Sequence, residues 1–394
     1  MASAKPAKKV ARMSYKRMIQ SVETHSGEPM RVITGGVPHI PGDTVYEQMK
    51  WLEQNDDQLR KMMLREPRGY APLCCNLIVP PKHPEAAAGF IIMEQVEYPV
   101  MSGGNTIAVA TVLLETGMIP MQEPLTEFKL ESPAGLIGIK AECRDGRVHN
   151  VTLENVPAFA VHLDAVIDVP ELGKVTVDVA WGGMFYVIAD VDQFESLELV
   201  PERGRDITRI SALILRAAQD QLPVEHPDYP GIGITIAQLS GRTNNPNADR
   251  KNAVTVSSGP VDFDNPATWT GGVDRCPCGT GTCAKMATLY ARGQLGLNQP
   301  FRHEGILETV YTGELVEEVR IGDRVAVVPT ISGRAWITGF STHVLEYDDP
   351  FPNGFTIGDI WAPQAQEQGL GEPSAGTPSF TGAVPAGKVS ETAH

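Results

Sequence analysis

The hydrophobic pattern along the chain is dominated by short apolar segments bounded by glycine or proline. They are rich in valine, isoleucine and aromatic residues, which is typical of β-strands. The segments read MRVITGG, CNLIVPP, GFIIMEQVEYPVM, KVTVDVAW, MFYVIADV, NAVTVSSGPV, DRVAVVP and AWITGF. The sequence therefore predicts a fold built mainly from short strands.

Helical patterns are fewer and fall into two kinds. TVYEQMKWLEQNDDQLRKMML and ITRISALILRAAQDQL have apolar residues at helical spacing among good helix formers, which predicts amphipathic helices. NTIAVATVLLETG and GTCAKMATLYARGQLG are apolar on nearly all sides, and each begins at a glycine-rich turn, MSGG or DRCPCGT. Helices that are apolar all round are usually buried, so we expect these two in the core.

The two apolar helices occur in similar settings, each after several strands and a glycine-rich turn. Ser102 and Cys278, which stand at the two turns, lie 176 residues apart. This spacing indicates two pseudo-repeated lobes, although two unrelated helices would give the same pattern by coincidence.

Composition narrows the class of protein. The chain has 394 residues, of which 42% are hydrophobic and 21% charged, enough for one large or two medium domains. The net charge of −15 repels phosphate and anionic lipid, so we expect neither a nucleic-acid nor a membrane partner. The sequence contains no run of about 18 apolar residues, so we expect no membrane span.

The two ends and the cysteines suggest a cytoplasmic protein. The basic residues 1–14 lack a following apolar core and are expected to be a flexible N-terminus rather than a secretory signal. The tail 363–394 is rich in Gly, Pro, Ser, Thr and Ala, which predicts disorder. Six cysteines are too sparse for a disulfide scaffold in a chain of this length.

Cys278 is the strongest candidate for a reactive residue. It stands where a helix begins, beside Gly279, so unpaired N–H groups and the positive end of the helix dipole lie next to it. A carboxylate can dock on the N–H groups of Gly279 and Thr280, and a thiol there is expected to ionise more readily. The alternative is a buried structural cysteine at a helix start.

Ser102 stands in the same kind of setting, with Gly103 and Gly104 forming the open turn. A lone serine there is usually an ordinary N-cap. Paired with Cys278, it suggests two facing helix N-termini that share one carboxylate. Each would present one side chain to an opposite face of the same α-carbon.

The segment DRCPCGTGTCAKMATLYARGQL resembles the second catalytic motif of the proline racemase family, usually DRSPCGTGT, and MSGGNTI resembles the first, usually MCGHGTI. RVITGGVPHIPGDTVYEQ, LREPRGY, ESPAGLI, WGGMFYVIADV and ISGRAWITG agree in order and spacing, so the resemblance covers residues 15 to 360. It implies an α+β fold like that of diaminopimelate epimerase, with two pseudo-symmetric lobes, each a curled mixed sheet around a central helix. It also implies a site between the lobes that needs no cofactor.

The resemblance assigns roles where residues match. It implies that Cys278 is a catalytic cysteine and that Asp274 holds the substrate's ring nitrogen, since a carboxylate suits a secondary ammonium. By the same match, Gly279 and Thr280 supply backbone donors to the carboxylate.

At the first motif the match is partly by position only. Gly103 and Gly104 correspond to backbone donors, and Asn105 is expected beside the substrate. Three residues depart from the usual motif: Ser102 replaces the first cysteine, Gly104 a histidine and Asn105 a glycine.

Other residues carry weaker hypotheses. His226, Phe185 and Tyr186 are candidates to line the pocket, with core or loop roles equally open. Cys276, Cys278 and Cys283 lack zinc-type spacing, so we expect no metal.

Ser102 bears on the reaction, because a hydroxyl is a far weaker acid than a thiol and a poor base. The leading hypothesis is a hydroxyproline 2-epimerase or proline racemase. A trans-3-hydroxy-L-proline dehydratase and a non-catalytic imino-acid-binding relative are the alternatives. The expected division is a first lobe of 15–178 plus 341–362 and a second of 179–340, with a possible homodimer.

Overall fold

The computed structural model describes residues 15–257, 259–358 and 360–361, and it shows an α+β protein with a large mixed sheet and few helices. Within these residues the α-helices are α1 (Val45–Asn55), α2 (Gln58–Leu64), α3 (Gly103–Glu115), α4 (Gly204–Gln221) and α5 (Gly279–Ala291). None of the helices in the described ranges is long and apolar enough to cross a membrane.

The strands are β1 (Tyr15–His25), β2 (Pro29–Gly35), β3 (Cys74–Val79), β4 (Ala88–Met93), β5 (Leu125–Ser132), β6 (Gly135–Arg144), β7 (Arg147–Glu154), β8 (Phe159–Val169), β9 (Gly173–Trp181), β10 (Phe185–Asp190), β11 (Ile234–Gly241), β12 (Arg250–Ser257), β13 (Gly271–Val273), β14 (Phe301–Glu304), β15 (Val310–Ile321), β16 (Arg324–Gly333) and β17 (Trp336–Glu346).

The strand pairing repeats itself within the chain. β2 pairs parallel with β3, β3 antiparallel with β4, β4 parallel with β5, and β5, β6 and β7 follow as antiparallel neighbours. β10, β11, β12, β14, β15 and β16 show the same order of parallel and antiparallel pairs. The apolar helix follows the third strand of the first set, and in the second set only the short β13 intervenes. This repetition confirms two pseudo-symmetric lobes.

The lobes are joined by β16 pairing with β7, and β17 pairs with β1 along its whole length. β8 and β9 continue the ladder of β10 and pack against α5, so the pairing groups them with the second set of strands. The lobe division at residues 178 and 340 stays a prediction.

α3 and α5 form the centres of the two sets. Every residue of α3 from Gly103 to Leu114 is buried, and α5 is buried from Gly279 to Ala284. Their alanine, valine and threonine side chains leave no polar face to expose, so strands surround them. The prediction that both helices lie in the core is confirmed.

The structure departs from the predicted elements in two ways. The single helix expected over 44–64 is two helices, because the polar run before Gln58 interrupts it and Asp56 takes a non-helical conformation. The sequence analysis also missed β1, β5 to β8, β11 and β13 to β15, several of which carry charged residues that interrupt the apolar pattern. The expected flexible ends 1–14 and 363–394 lie outside the described residues.

Candidate active site

The starts of α3 and α5 touch each other at the centre of the molecule. A Cβ atom added to Gly103 would lie 2.8 Å from the Cα of Gly279, and one added to Gly279 would lie 2.6 Å from the Cα of Gly103. Only glycine permits this approach at both positions. The two helix starts that the sequence singled out are therefore brought face to face, and the first N–H groups of a helix have no partner within that helix.

A narrow cavity of about 30 Å³ lies where the helices meet. That space holds about one or two water molecules. Seven of the predicted site residues line it: Ser102, Gly104, Asn105, Asp274, Cys278, Gly279 and Thr280. Gly103 lies behind them at the contact between the helices.

Cys278 precedes α5 with a φ of 59°, a left-handed conformation that is unusual for a residue with a side chain. Its sulfur lies 3.3 Å from the Tyr186 hydroxyl, which is also 2.7 Å from Thr280 Oγ1. A side chain at Gly281 would lie 3.1 Å from the sulfur. The turn and the glycine together aim the thiol into the cavity.

Burial raises the pKa of the Cys278 thiol well above its usual value, and the charge of Asp274 adds to the rise. The raised pKa contradicts the expectation of a thiol that ionises more readily, because burial penalises the charged thiolate. A ligand that brings positive charge next to Asp274 would oppose this rise.

Ser102 precedes α3 in an extended conformation, and its hydroxyl forms no cap hydrogen bond to the helix. Asn105 Nδ2 donates to Ser102 Oγ over 2.9 Å, and Asn76 Nδ2 donates to Asn105 Oδ1 over 2.6 Å. The ordinary N-cap interpretation is therefore not what the geometry shows. The side-chain amide of Asn105 instead fixes the position of the Ser102 hydroxyl.

Three carboxylates, those of Glu28, Glu94 and Asp274, line the cavity. Burial raises the pKa of Asp274 to about 6, and burial next to Asp274 raises that of Glu28. Glu28 accepts a hydrogen bond from the Arg275 backbone N–H. Glu94 also lines the cavity, and Cys74 Sγ lies 3.9 Å from its Oε1. Buried acids of this kind favour a cationic ligand.

Sequence reasoning missed Glu28, Glu94 and Cys74. They come from separate strands and loops, far from Asp274 in sequence, and no local motif marks them. The same three residues line a larger cleft of about 870 Å³, together with Asp274 and Val256. We therefore identify this cleft as the way into the narrow cavity.

Gly104 leaves room for other side chains beside the cavity. A Cβ there would lie 3.1 Å from Met30 Cε and 3.4 Å from both Ser26 Oγ and the Tyr311 hydroxyl. Tyr311 donates to Ser26 over 3.0 Å. The space next to residue 104 is therefore occupied by a hydroxyl pair that the sequence did not reveal.

Phe185 and His226 are not brought to the cavity, whereas Tyr186 is. Phe185 and Tyr186 differ because neighbouring residues of a strand, here β10, point to opposite faces of the sheet. Phe185 packs edge-on against Trp181. The His226 ring lies tilted against Trp181, and its Nδ1 accepts a hydrogen bond from the Asp228 N–H.

Over residues 15–257, 259–358 and 360–361, no group of three or more His, Cys, Asp or Glu is placed to hold a metal ion. Cys283 accepts a hydrogen bond from Asn155 over 3.1 Å and is fully buried. The cavity thus combines two helix starts with carboxylates, with the thiols of Cys74, Cys276 and Cys278, and with the hydroxyls of Ser102, Tyr186 and Thr280.

Comparison with known proteins agrees with this chemistry. The proline racemase family model matches residues 21–356. A hydroxyproline epimerase from Agrobacterium vitis, solved with bound trans-4-hydroxy-L-proline, is 38% identical, with a TM-score of 0.82, and the match covers 90% of this chain and 100% of that one. A probable proline racemase from Agrobacterium radiobacter K84, solved with bound carbonate, is 36% identical, with a TM-score of 0.81, covering 89% and 99%.

A more distant structure shares the fold alone. The phenazine biosynthesis protein of the PhzF family from Bacillus anthracis is 11% identical, with a TM-score of 0.51, and the match covers 83% of this chain and 99% of that one. With the family model spanning most of its length and two such similar structures, this chain belongs to the proline racemase family.

Proposed function

We propose that this protein is a hydroxyproline 2-epimerase that moves the α-proton of a proline-type imino acid without a cofactor. The observation that carries the proposal is the pair of touching helix starts, which places Ser102 and Cys278 on one cavity with Asp274. The similarity to the Agrobacterium vitis epimerase supports the choice of substrate class. Proline itself is the simpler substrate of the same kind.

Substrate binding follows from the charges. The substrate carboxylate accepts hydrogen bonds from the backbone N–H groups at the two helix starts, and its secondary ammonium pairs with Asp274 and Glu28. The ammonium offsets the negative charge of Asp274, which is one of the causes of the raised pKa of Cys278. Binding of the correct substrate therefore helps the thiol to ionise.

Proton transfer then uses the two sides of the cavity. The Cys278 thiolate takes the α-proton, so a C–H bond breaks and an S–H bond forms. The electron pair left on the α-carbon is delocalised into the carboxylate that the helix N–H groups stabilise. Ser102 gives its hydroxyl proton to the opposite face, which inverts the centre. After product release the Ser102 oxygen takes a proton from solvent and the Cys278 thiol returns one to solvent, so both groups regain their starting state.

The test is an NMR screen in deuterium oxide over proline and its 3- and 4-hydroxy isomers. A hydroxyproline should gain deuterium at the α-carbon as its C2 epimer accumulates. A protein whose melting temperature rises with these ligands, but which gives no deuterium incorporation with any of them, would be a binder and not an enzyme.

A trans-3-hydroxy-L-proline dehydratase is the second candidate. Elimination needs a base for the α-proton while the 3-hydroxyl leaves, so Cys278 alone suffices. The product is an imine that o-aminobenzaldehyde detects. Its formation from 3-hydroxyproline, without epimerisation of 4-hydroxyproline, would replace the first proposal.

Two wider proposals accompany the enzyme. We infer a cytoplasmic location, supported by six cysteines that are all free thiols, and a homodimer, supported by the family resemblance. Fractionation of cells and light scattering of the purified protein test them. A monomeric scattering mass would remove the homodimer.

A further inference from the structure

We propose that Asn76 and Asn105 are positioning residues that fix the Ser102 hydroxyl as a proton donor aimed at the substrate. The inference rests on the proposed epimerase function and deepens it. Its basis is the unbroken chain from Asn76 Nδ2 to Asn105 Oδ1 at 2.6 Å and from Asn105 Nδ2 to Ser102 Oγ at 2.9 Å. Asn76 is fully buried, and Asn105 is 2% exposed.

The direction of this chain follows from the cost of unpaired groups. In the observed direction Asn76 Oδ1 is the buried atom without a partner among the described residues. If both amides were turned over, Asn76 would instead leave an N–H group without an acceptor. A buried N–H without a partner is rarer than a buried C=O without one. The observed direction is therefore favoured, and Asn105 faces Ser102 with its N–H.

This direction determines what Ser102 can do. A hydroxyl oxygen that accepts from Asn105 turns its own proton away from that amide, and Ser102 lines the cavity that would hold the substrate. When the proton moves to the α-carbon, an O–H bond breaks, a C–H bond forms and the oxygen becomes negative. The Asn105 N–H then makes a charge-assisted hydrogen bond to that oxygen, stronger than the one to a neutral hydroxyl.

The departures from the usual first motif support the link between the two residues. Asn105 stands where that motif has glycine, and Ser102 stands where it has cysteine. Glycine has no side chain to donate to residue 102. A serine oxygen needs such a donor more than a thiol does, because an alkoxide is much less stable than a thiolate.

The experiment compares two rates by NMR in deuterium oxide. One is epimerisation. The other is loss of the α-proton from the isomer whose proton faces Cys278, with return of deuterium to the same face. Asn105→Ala and Asn76→Leu should each slow epimerisation about tenfold, the effect of losing a charge-assisted hydrogen bond. Same-face exchange should change less than about threefold, since Cys278 performs it alone.

Coupling to Ser102 gives the decisive comparison. If the amides act through Ser102, the double variant Asn105→Ala with Ser102→Ala should be no slower than Ser102→Ala alone. Asn155→Leu is the matched control, since it removes an equally buried amide that bonds to Gly182 O and Cys283. It should leave the ratio of the two rates unchanged. Equal losses of both rates in Asn76→Leu, or additive effects in the double variant, would overturn the proposal.

A measurement that needs no turnover separates this proposal from the function itself. The side-chain amide signals of Asn105 in a ¹⁵N-labelled protein should shift in Ser102→Ala and in Asn76→Leu. Unmoved signals would overturn the hydrogen-bond chain even in an active enzyme. If the signals shift in both variants but the wild-type protein shows no α-proton exchange, the epimerase function is overturned instead, and with it the donor role of Ser102.

Discussion

The starts of α3 and α5 have the same position in their lobes but different chemistry. At α5, the Cys278 thiol lies beside Tyr186 and within reach of the Asp274 charge. At α3, the Ser102 hydroxyl is held by Asn105. The α5 side thus combines a thiol with titratable neighbours, whereas the hydrogen bond that holds Ser102 comes from an amide that does not titrate.

This difference teaches that a pseudo-symmetric fold need not perform symmetric catalysis. In the proposed mechanism both helix starts offer N–H groups to one carboxylate, so binding would use the symmetry. Cys278 would remove the α-proton, whereas Ser102 would donate one.

Removing the Cys278 thiol should have the largest effect on activity. We expect Cys278→Ala to lower α-proton exchange at least about a thousandfold for every substrate, because Cys278 is the base that the proposed mechanism assigns to that face. ¹H NMR in deuterium oxide measures it. Cys143→Ser, a buried thiol on β6, should keep the wild-type rate. Exchange within tenfold of wild type in Cys278→Ala would exclude Cys278 as the base.

Neutralising Asp274 should weaken binding next. Asp274→Asn loses a charge-assisted hydrogen bond worth about 1.5–3 kcal/mol, which corresponds to roughly 10- to 150-fold in the Kd of proline. Calorimetry with proline measures it, and pyrrole-2-carboxylate serves as a control because its nitrogen is uncharged. An unchanged affinity for proline would show that Asp274 does not bind the ring nitrogen of the substrate.

Changes at Ser102 should affect epimerisation and elimination differently. Ser102→Cys should speed epimerisation about tenfold, because a thiol is the stronger acid, while elimination from 3-hydroxyproline should hardly change. Ser102→Ala should slow epimerisation more than elimination. Equal losses in Ser102→Ala would leave Ser102 as a positioning group only, and intact epimerisation would mean that water supplies the second proton.

The pH dependence of the melting temperature tests the protonation of Asp274. Burial raises the pKa of Asp274 from 3.8 to about 6, so the folded protein without ligand holds this proton more tightly than the unfolded chain. The stability from this group is present below pH 3.8 and is lost as the pH rises through about 6. A bound ammonium stabilises the carboxylate instead. Proline should therefore raise the melting temperature more at about pH 8 than at about pH 5, a difference that Asp274→Asn should abolish.

The smallest expected effect concerns Tyr186, whose hydroxyl contacts both Cys278 and Thr280. Tyr186→Phe removes a hydrogen bond worth about 1 kcal/mol, so kcat should fall roughly fivefold. The pH at which the rate levels off should rise, because the thiolate loses a donor. A pH profile of α-proton exchange measures both, and an unshifted profile would show that Tyr186 does not support the thiolate.

Much of the fold and part of the site were predictable from local signals. Ala, Val and Thr on all sides of α3 and α5 marked them as buried, and the glycines at 103 and 279 marked their open starts. Asp274 and Cys278 were found through the long second motif. Glu28 and Glu94 were not found, because residues that meet only through strand pairing leave no trace in local spacing.

The sequence by itself determined the two core helices, their glycine starts and the family, since these depend on residue type and short-range spacing. Only the tertiary structure decided the state of the site. Folding buries Cys278 next to a carboxylate, which raises the pKa of its thiol instead of lowering it. Folding also places Asn76 behind Asn105 and so directs the Ser102 hydroxyl. Desolvation and hydrogen-bond direction depend on every neighbour in space, and these neighbours are far apart along the chain.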